Sequence, residues 1–340
     1  MNLPPLPADP IVGPLPHTPE WHALRRYDET RAAPVVLGAT TAGPVTGMSN
    51  HSSALEVYMR QLGMLEDPIV TEGMENGTDI EPIACKRFAK RRSVELVCAT
   101  HGIKIPMYFS RQWPWMAATP DDLALFDVIE GVEAKATTFR RYDEYGINDD
   151  AFGEVGTDQL PIDYIMQGQQ QIAVLGVPAV NYPVFFDIHT LRIYRVERNE
   201  DLIASIIECG KEMVERIVNR DPPEPNYHSS KAAKLIRELH GLELGKTITF
   251  TADQMQLYTK FCHTKLQLKN LEEEKESLKA MLLQQMADAQ IALFPQGTKQ
   301  LKRTVIADSL WTIDDVRKAE ECLGQVKKKG HERLTESKVK

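Results

Sequence analysis

The stretches Thr119-Pro120-Asp121-Asp122 and Gly131-Val132-Glu133-Ala134-Lys135 decide how this 340-residue sequence is interpreted. Residues two apart on a strand point to the same face, so Glu133 and Lys135 are predicted to project side by side. Asp121 follows a strand predicted over 115–118, and a short excursion of the chain brings it alongside Glu133. Two carboxylates beside an ammonium are costly in a stable core, but the same group suits phosphodiester hydrolysis.

The chemistry of such a group depends on a divalent metal. Mg²⁺ takes one or two protein carboxylates together with water and phosphate oxygens, and Mn²⁺ accepts similar oxygen sites. The bound metal polarises the scissile phosphate and lowers the pKa of a water. Lys135 would orient that water and neutralise charge on the phosphate. Taken alone the pattern is degenerate, and a salt-bridged strand is the simpler interpretation.

A helix upstream of these strands carries further polar groups. Pro82 suggests that this helix begins near Asp79, and Ile83 and Phe88 are expected to pack inward. Glu81 would then lie at the helix start, where it either orders a second metal or its water, or simply favours the positive end of the helix dipole.

Positive charge is concentrated around the same helix. The chain has a net charge of −8, yet residues 81–111 hold seven basic and two acidic side chains, a local balance of +5. An acidic exterior with a basic lining is typical of a nuclease whose channel alone holds DNA. A solvated helix face explains the charges equally well.

Glutamines dominate a helix predicted over 161–176. Four occur in the five positions 167–171, so some must face inward on an amphipathic helix. A buried glutamine beside the active strand would hold the nucleophilic water or the lysine. The alternative is a solvated polar stripe, which the apolar flanking residues disfavour.

Composition and periodicity divide the chain into four parts. Residues 1–19 are proline-rich and extended, 20–220 form the main domain, 221–250 are a linker with short elements, and 251–340 carry a long helix, a short β segment and a C-terminal helix with a basic tail that frays. Helices are predicted over 19–26, 55–62, 79–93, 161–176, 200–219 and 253–289. Strands are predicted over 94–99, 115–118, 126–136, 179–188, 191–196, 291–294 and 301–306, with an irregular loop over 137–158.

Hydropathy, the N-terminal sequence and the cysteines indicate the cellular compartment in which the protein acts. No run approaches the ~18 apolar residues of a membrane span, and MNLPPLPADP lacks the regions of a signal peptide. We therefore expect a cytoplasmic protein that does not contact a membrane. The scattered cysteines predict reduced, mostly buried thiols rather than disulfides or a zinc or iron–sulfur site. They are Cys85, Cys98, Cys209, Cys262 and Cys322.

An ordered series of six motifs resembles a known family. The series is Trp21-His22-Ala23-Leu24-Arg25, Leu37-Gly38-Ala39-Thr40-Thr41-Ala42, Gly77-Thr78-Asp79-Ile80-Glu81, Ala118-Thr119-Pro120-Asp121, Glu133-Ala134-Lys135 and Tyr164-Ile165-Met166-Gln167-Gly168-Gln169. It is similar to the lambda-type exonucleases, also called the YqaJ-like viral recombinase family, within the PD-(D/E)xK nucleases. The resemblance covers about residues 20–220.

The resemblance implies a fold and an activity. The fold would be α/β (α+β), with a restriction-endonuclease-like core whose mixed central sheet is flanked by helices, plus a C-terminal helical or coiled-coil extension. Such enzymes degrade one strand of double-stranded DNA from its ends, 5′ to 3′ and without ATP, as homo-oligomeric rings of three subunits. They generate 3′ single strands for phage-type recombination beside a single-strand annealing protein, which here implies a bacterial host cytoplasm.

The resemblance also implies residue roles. Asp121 and Glu133 would be metal ligands, with the Ala134 carbonyl as a third protein oxygen. Lys135 would be the catalytic lysine, while Glu81 and Gln167 would support metal and water.

A second group of residues is implied to contact DNA. Arg25 and Thr40 or Thr41 match the 5′-phosphate pocket, where the family usually has serine. The DNA-contacting set is completed by Lys86, Lys90 and Gln169. The chain also departs from the family at Asp122, where glycine is frequent.

Two other functions remain open at this stage. One is a structure- or sequence-selective endonuclease or nickase with the same metal site. The other is a non-catalytic DNA-binding assembly protein, although it would not need the intact triad. The long helix over 253–289 is either a coiled-coil partner helix, which would recruit an annealing protein or brace the oligomer, or a helix packed on the core.

Overall fold

The computed structural model describes most of the chain and divides it into two compact units. The units are Met1–Glu243 and Leu244–Lys340. The described residues are 3–66, 70–98, 104–137, 142–143, 146–147, 152–186, 190–241, 243–293, 299–306, 309–310, 327–328 and 331–338.

Helices of the first unit begin where the sequence supplies caps. Thr18 Oγ1 accepts the Trp21 N–H at 3.3 Å, and Ser53 and Asn199 cap later helices in the same way. The helices are α1 (Pro19–Leu24), α2 (Ala42–Val45), α3 (Ala54–Gln61), α4 (Glu72–Arg92), α5 (Ile162–Leu175), α6 (Glu200–Asn219) and α7 (Ala232–His240), with a 3-10 turn at Ala39–Thr41. The helices predicted over 19–26, 55–62, 161–176 and 200–219 are confirmed.

The strands of the first unit form two principal sheets. They are β1 (Ile11–Val12), β2 (Leu37–Gly38), β3 (Glu95–Leu96), β4 (Tyr108–Phe109), β5 (Met116–Ala118), β6 (Asp122–Leu125), β7 (Ile129–Val132), β8 (Lys135–Thr137), β9 (Tyr142–Asp143), β10 (Gly146–Ile147), β11 (Ala179–Phe186) and β12 (Thr190–Glu197). One sheet has the order β1-β4-β5-β2, and the other has the order β12-β11-β7-β6-β3 with β8 also on β11. β11 is parallel to β7 and β8 but antiparallel to β12, which confirms the mixed sheet flanked by helices.

The single strand predicted over 126–136 is wrong. β6 and β7 form an antiparallel hairpin instead, with Leu125 paired to Ile129. The turn consists of Phe126, Asp127 and Val128, whose apolar members resemble strand residues, and it contains neither glycine nor proline. The loop predicted over 137–158 contains a short ladder between β9 and β10.

Helix α4 begins earlier than Pro82 suggested. Thr71 Oγ1 accepts the Met74 N–H, and Pro82 lies inside the helix. The turns before Pro82 are largely exposed, so water can satisfy the carbonyl that loses its N–H partner. The inward face also differs: Phe88 is buried as expected, but Ile83 is 51% exposed.

Helix α5 lies at the centre of the first unit. It packs against β5, β11, α2, α6 and the 3-10 turn. The helix ends at Gly176, whose φ of +75° places it in the left-handed region. A Cβ at Gly176 would also lie 2.4 Å from the Ala8 nitrogen, so only glycine fits this end.

The second unit contains the predicted long helix, α8 (Ala252–Met286), which begins with a capping box at Thr251 and Gln254. Its strands are β13 (Ile291–Leu293), β14 (Lys299–Ile306), β15 (Ser309–Leu310), β16 (Lys327–Lys328) and β17 (His331–Lys338). β17 pairs antiparallel with β14, so part of the basic end predicted to fray forms a strand. The last helix was predicted between the β segment that ends at Ile306 and the basic end at Lys327, and most of that stretch, 311–326, lies outside the described residues.

Among the helices of the described residues, none combines the length and the apolar character that crossing a membrane requires.

Candidate active site

The β6–β7 hairpin brings Asp121 next to Glu133. Asp122 pairs with Val132, and the Asp121 N–H donates to the Val132 carbonyl at 3.0 Å. Asp121 Oδ2 then accepts the Ala134 N–H at 2.7 Å. The predicted proximity of the two carboxylates follows from this hairpin and not from the end of β5.

Pro183 on β11 explains why the pairing with β11 is interrupted at Glu133 and Ala134, between β7 and β8. Both strands keep the same parallel register on β11, which places Pro183 level with Ala134. Proline has no N–H to donate to a ladder. The Glu133 N–H donates to the Asn181 carbonyl at 2.9 Å, but the Glu133 carbonyl lacks the N–H that residue 183 would otherwise supply. The Ala134 N–H donates to Asp121 instead of to β11.

Glu133 is buried, with its side chain 6% exposed, and three donors hold it. Oε1 accepts from Lys135 Nζ at 2.7 Å and from Gln167 Nε2 at 2.5 Å. Oε2 accepts from Gln171 Nε2 at 2.7 Å. A carboxylate has about four lone-pair positions, so these donors leave one position, on Oε2, for a further ligand.

Lys135 remains charged in this setting. Burial alone would lower the pKa of its ammonium, but the Glu133 and Asp121 carboxylates outweigh burial and raise that pKa. The ammonium also lies 5.1 Å from the centre of the Tyr164 ring. The Tyr182 hydroxyl in turn donates to the Tyr164 carbonyl at 2.6 Å, which fixes this part of α5 on β11.

Glu81 faces the same cluster from α4. Burial raises the pKa of its carboxyl, and the charge of Glu133 raises it further. Glu81 lies more than two turns inside α4, so the expectation that it stands at the helix start is wrong. A pocket of about 410 Å³ between α4 and β8 is lined in part by Glu81, Ala134 and Lys135.

The charges fit a divalent cation. Burial raises the pKa of Asp121 well above its usual range, and Glu133 adds to the effect. Three carboxylates thus face one ammonium, an imbalance that a cation would relieve. Among the described residues no three His, Cys, Asp or Glu side chains meet in a ready metal site. Mg²⁺ needs only one or two carboxylates because water and phosphate complete its shell.

The residues predicted for the 5′-phosphate lie on two segments, because Thr40 and Thr41 belong to the 3-10 turn after β2, the strand that pairs with β5, whereas Arg25 lies at the end of α1. Arg25 follows the last residue of α1, and its guanidinium lies 4.6 Å from the centre of the Trp21 ring. Thr40 is exposed, while Thr41 Oγ1 donates to the Gly38 carbonyl at 2.8 Å. The hydroxyl of Thr40 is therefore the more accessible of the two.

Helix α5 links the segment of the 3-10 turn to the carboxylates. Gln170 Nε2 donates to the Leu37 carbonyl at 2.8 Å and to the Ala117 carbonyl at 2.9 Å. Gln167 and Gln171 on the same helix hold Glu133. The single helix α5 therefore contacts both Leu37, just before the 3-10 turn that holds Thr40, and the Glu133 carboxylate, and it fixes the distance between them.

The other residues predicted to contact DNA fall into two groups. Lys86 and Lys90 are exposed on α4, whereas Gln169 is 1% exposed. Gln169 Nε2 donates to the Glu197 carbonyl at 2.6 Å, and its Oε1 accepts the Asn199 N–H at 2.9 Å. The structure therefore does not bring Gln169 to the cluster.

The sequence interpretation missed Gln171. Gln171 is fully buried and supplies the one described contact to Glu133 Oε2. A signal was available, since residues four apart share a helix face and Gln167 had been singled out. The roles of Tyr164, whose ring lies beside Lys135, and of Tyr182, which stacks on Tyr164, were missed because they depend on long-range packing.

The comparisons with known proteins agree with the motifs. Residues 20–178 match the family described as the YqaJ-like viral recombinase domain. No protein with a curated functional description matches the sequence.

Solved structures overlap with this chain only loosely. A crystal structure of an alkaline exonuclease from Laribacter hongkongensis (LHK-Exo) is 19% identical, with 59% of this chain and 94% of that chain covered and a TM-score of 0.41. LHK-Exo in complex with dAMP is 20% identical, with 64% and 100% covered and a TM-score of 0.43. The crystal structure of SSO0001 is 11% identical, with 57% and 80% covered and a TM-score of 0.29. Overlaps of this size support no argument about the site.

Proposed function

We propose that this protein, a nuclease of the lambda-exonuclease type, digests double-stranded DNA ends. The premise is the match of residues 20–178 to the YqaJ-like viral recombinase domain. The proposed reaction depends on Mg²⁺, needs no ATP and runs 5′ to 3′, leaving 3′ single strands. The observation that carries the proposal is the meeting of Asp121, Glu133 and Lys135 at one point of the mixed sheet.

The metal would be held by groups that the fold already orients. Asp121 and Glu133 would supply carboxylate oxygens, and the Ala134 carbonyl a third oxygen. When bound, Mg²⁺ would polarise the scissile phosphate and make a water more acidic. The Gln167 and Gln171 amides hold Glu133 in one orientation, so the carboxylate need not reorganise when substrate binds.

Lys135 and Glu81 would act on the reacting water and phosphate. The Lys135 ammonium is 2.7 Å from Glu133 Oε1 and retains further protons to donate to a phosphate oxygen or a water. Glu81 faces the cluster from α4 and would accept a hydrogen bond from water. Burial and the charge of Glu133 raise the pKa of Glu81, and a cation bound nearby would lower that pKa.

Directionality would come from holding the terminal 5′-phosphate. Arg25 would pair with that phosphate, and the exposed Thr40 hydroxyl would donate a hydrogen bond; Thr41 already bonds to Gly38. Lys86 and Lys90 on α4 would contact the DNA backbone without reading sequence.

The partners follow from the same proposal. They are double-stranded DNA ends, further copies of this chain in a homo-oligomer of three, and a single-strand annealing protein. The protein would act in the cytoplasm of a bacterial host.

The test uses a linear duplex with a 5′-phosphate on one end and a label on the opposite end of the same strand. We expect progressive Mg²⁺-dependent loss of the phosphorylated strand, no loss with EDTA, and no loss with Lys135→Ala. The matched control is Lys234→Ala, an exposed lysine on α7, which should digest as the wild type does. Internal cuts or relaxation of a closed circle would overturn the exonuclease in favour of an endonuclease. Absence of cleavage under Mg²⁺ and Mn²⁺ would leave a DNA-binding assembly protein.

A further inference from the structure

The feature left unexplained by the nuclease site is an exposed seam along α8. Its positions recur every three and four residues, which is the a/d spacing of a coiled coil. Six of eight successive positions are large and apolar, and the other two are Thr264 and Lys275. All six are between 48% and 69% exposed: Leu257, Phe261, Leu268, Leu271, Leu278 and Leu282.

The polar positions of the seam select an antiparallel partner of the same sequence. When two copies run in opposite directions about the midpoint between Leu268 and Leu271, Thr264 of one copy lies opposite Lys275 of the other. Every apolar seam residue then meets an apolar one. A shift of one heptad would place Lys275 and Thr264 each opposite a leucine, so the Lys275 ammonium would lose the hydroxyl acceptor that Thr264 offers in this register.

A parallel pair of the same helices is less favourable. It would put Lys275 against its own copy in the seam. On the flank, Lys260 would face Lys265, and this repulsion offsets the attraction between Glu274 and Lys279. Like charges at these positions destabilise a coiled coil.

The flanking charges agree with the antiparallel arrangement. Residues at heptad position e lie across from one another in an antiparallel pair, which places Glu272 of each copy beside Lys265 of the other. Tyr258 likewise meets Lys279, a cation–π combination. The second flank pairs Glu274 with Gln267 and Lys260 with Met281, so no like charges face each other on either flank.

We propose that α8 is a self-association element, in which the helices of two copies of this chain pair antiparallel in this register. The inference does not rest on the nuclease activity. A pair of this kind is isologous and closes with two-fold symmetry, so it would join two copies, or two rings, through their C-terminal units.

A charge exchange on the full chain tests the flank contacts. Lys265→Glu and Glu272→Lys each create two like-charge pairs, and each should raise the dissociation constant measured by sedimentation about tenfold or more. The double variant restores both pairs and should return to the wild-type value. The matched control is Glu273→Lys, because Glu273 is exposed on the outer face of the helix. Equal weakening by the control, or no rescue by the double variant, would overturn the register.

Cysteine pairs test the direction of the helices independently of other subunit contacts. In a Cys262→Ser background, Leu257→Cys chains mixed with Leu282→Cys chains should crosslink under oxidation, and neither should crosslink alone. Crosslinking of Leu257→Cys to itself would show a parallel pair and contradict the proposal. No crosslink in any mixture would contradict the pairing of two copies through α8. Neither result depends on DNA cleavage.

Discussion

At the scale of single residues, the site depends on how Glu133 is held. Lys135 and Gln167 occupy Oε1 and Gln171 occupies Oε2. Neutral amides fix the carboxylate without neutralising its charge, whereas a second cationic side chain would compete with a metal. The two glutamines therefore orient the Glu133 carboxylate, and Lys135 supplies the positive charge beside it.

Replacement of Gln171 should impair Mg²⁺-dependent cleavage more than it lowers the stability of the fold. Gln171→Met removes the donor to Glu133 Oε2 while preserving volume, and we expect cleavage to fall about 10- to 100-fold with a higher half-saturating Mg²⁺ concentration. Gln169→Met is the matched control, since Gln169 is buried on the same helix but, within the described part of the chain, its side chain bonds to Glu197 and Asn199 and not to Glu133. An identical Mg²⁺ dependence in the two variants would reduce Gln171 to a packing residue.

Asp121→Asn should stabilise the metal-free protein while it abolishes cleavage. The folded-state pKa of Asp121 is raised, first by burial and then by Glu133. Between the unfolded and folded pKa values the folded state binds more protons, so the free energy of unfolding falls as pH rises through that window. The neutral asparagine removes this loss, and thermal unfolding in EDTA at pH 7 should occur at least about 2 °C higher. A midpoint below that of the wild type would contradict the assigned shift.

At the scale of elements, α5 joins the two sheets. Gly168 permits the close approach of α5 to β11, because a Cβ there would lie 2.8 Å from the Tyr182 hydroxyl. That hydroxyl bonds to the Tyr164 carbonyl beside Lys135. A shift of α5 would therefore move the glutamines and the lysine together.

Gly168→Ala should lower both stability and activity. Overpacking against Tyr182 should cost about 1–3 kcal/mol in the free energy of unfolding by urea, and cleavage should fall as Gln167 moves away from Glu133. The control is Gly77→Ala on α4, where a Cβ meets nothing within 4 Å. That variant should gain about 0.5–1 kcal/mol from helix propensity. Unchanged stability of Gly168→Ala would show that α5 has room to move.

Local signals predicted the helices better than the sheet. Caps at Thr18 and Asn199 and the apolar period of α5 and α6 are short-range features, and these helices form as predicted. The β6–β7 hairpin was not predicted because the apolar residues of its turn are typical of a strand. The start of α4 was predicted too late because a proline such as Pro82 usually indicates a helix boundary. Pro183 was also uninformative, since its effect on the Glu133 carbonyl depends on a pairing between distant strands.

The site shows the same division between local and long-range information. Motif spacing identified Asp121, Glu133 and Lys135, and the structure brings them together with Gln167. The hydrogen bonds of Gln169 and Gln171 depend on which face of α5 meets Glu133. Four glutamines within the five positions 167–171 do not determine that face.

At the scale of the whole molecule, the described cluster lies entirely in the first unit. Asp121, Glu133, Lys135, Gln167 and Glu81 all precede Glu243, where the first unit ends. Helix α7 belongs to this unit, since its Leu235 is buried with Leu55 and Met213.

A chain ending after Glu243 should therefore fold and cut DNA. We expect a cooperative unfolding transition and Mg²⁺-dependent hydrolysis with a rate per chain within about threefold of the full protein, because no catalytic group is lost. A chain ending before α7 is the informative comparison, as it exposes Leu55 and should unfold at a lower temperature. Loss of hydrolysis in a folded chain of 243 residues would show that the second unit contributes to the site.

The central claim is that Asp121, Glu133 and Lys135 form a metal-dependent hydrolytic site. The most direct measurement is the initial rate of nucleotide release from linear duplex DNA as a function of Mg²⁺ concentration, for the wild type, Glu133→Gln and Lys135→Ala. Saturable Mg²⁺ dependence is expected for the wild type, with a loss of at least about a hundredfold in both variants while circular dichroism remains unchanged. Nucleotide release that persists in EDTA, or in correctly folded Lys135→Ala, would contradict the account.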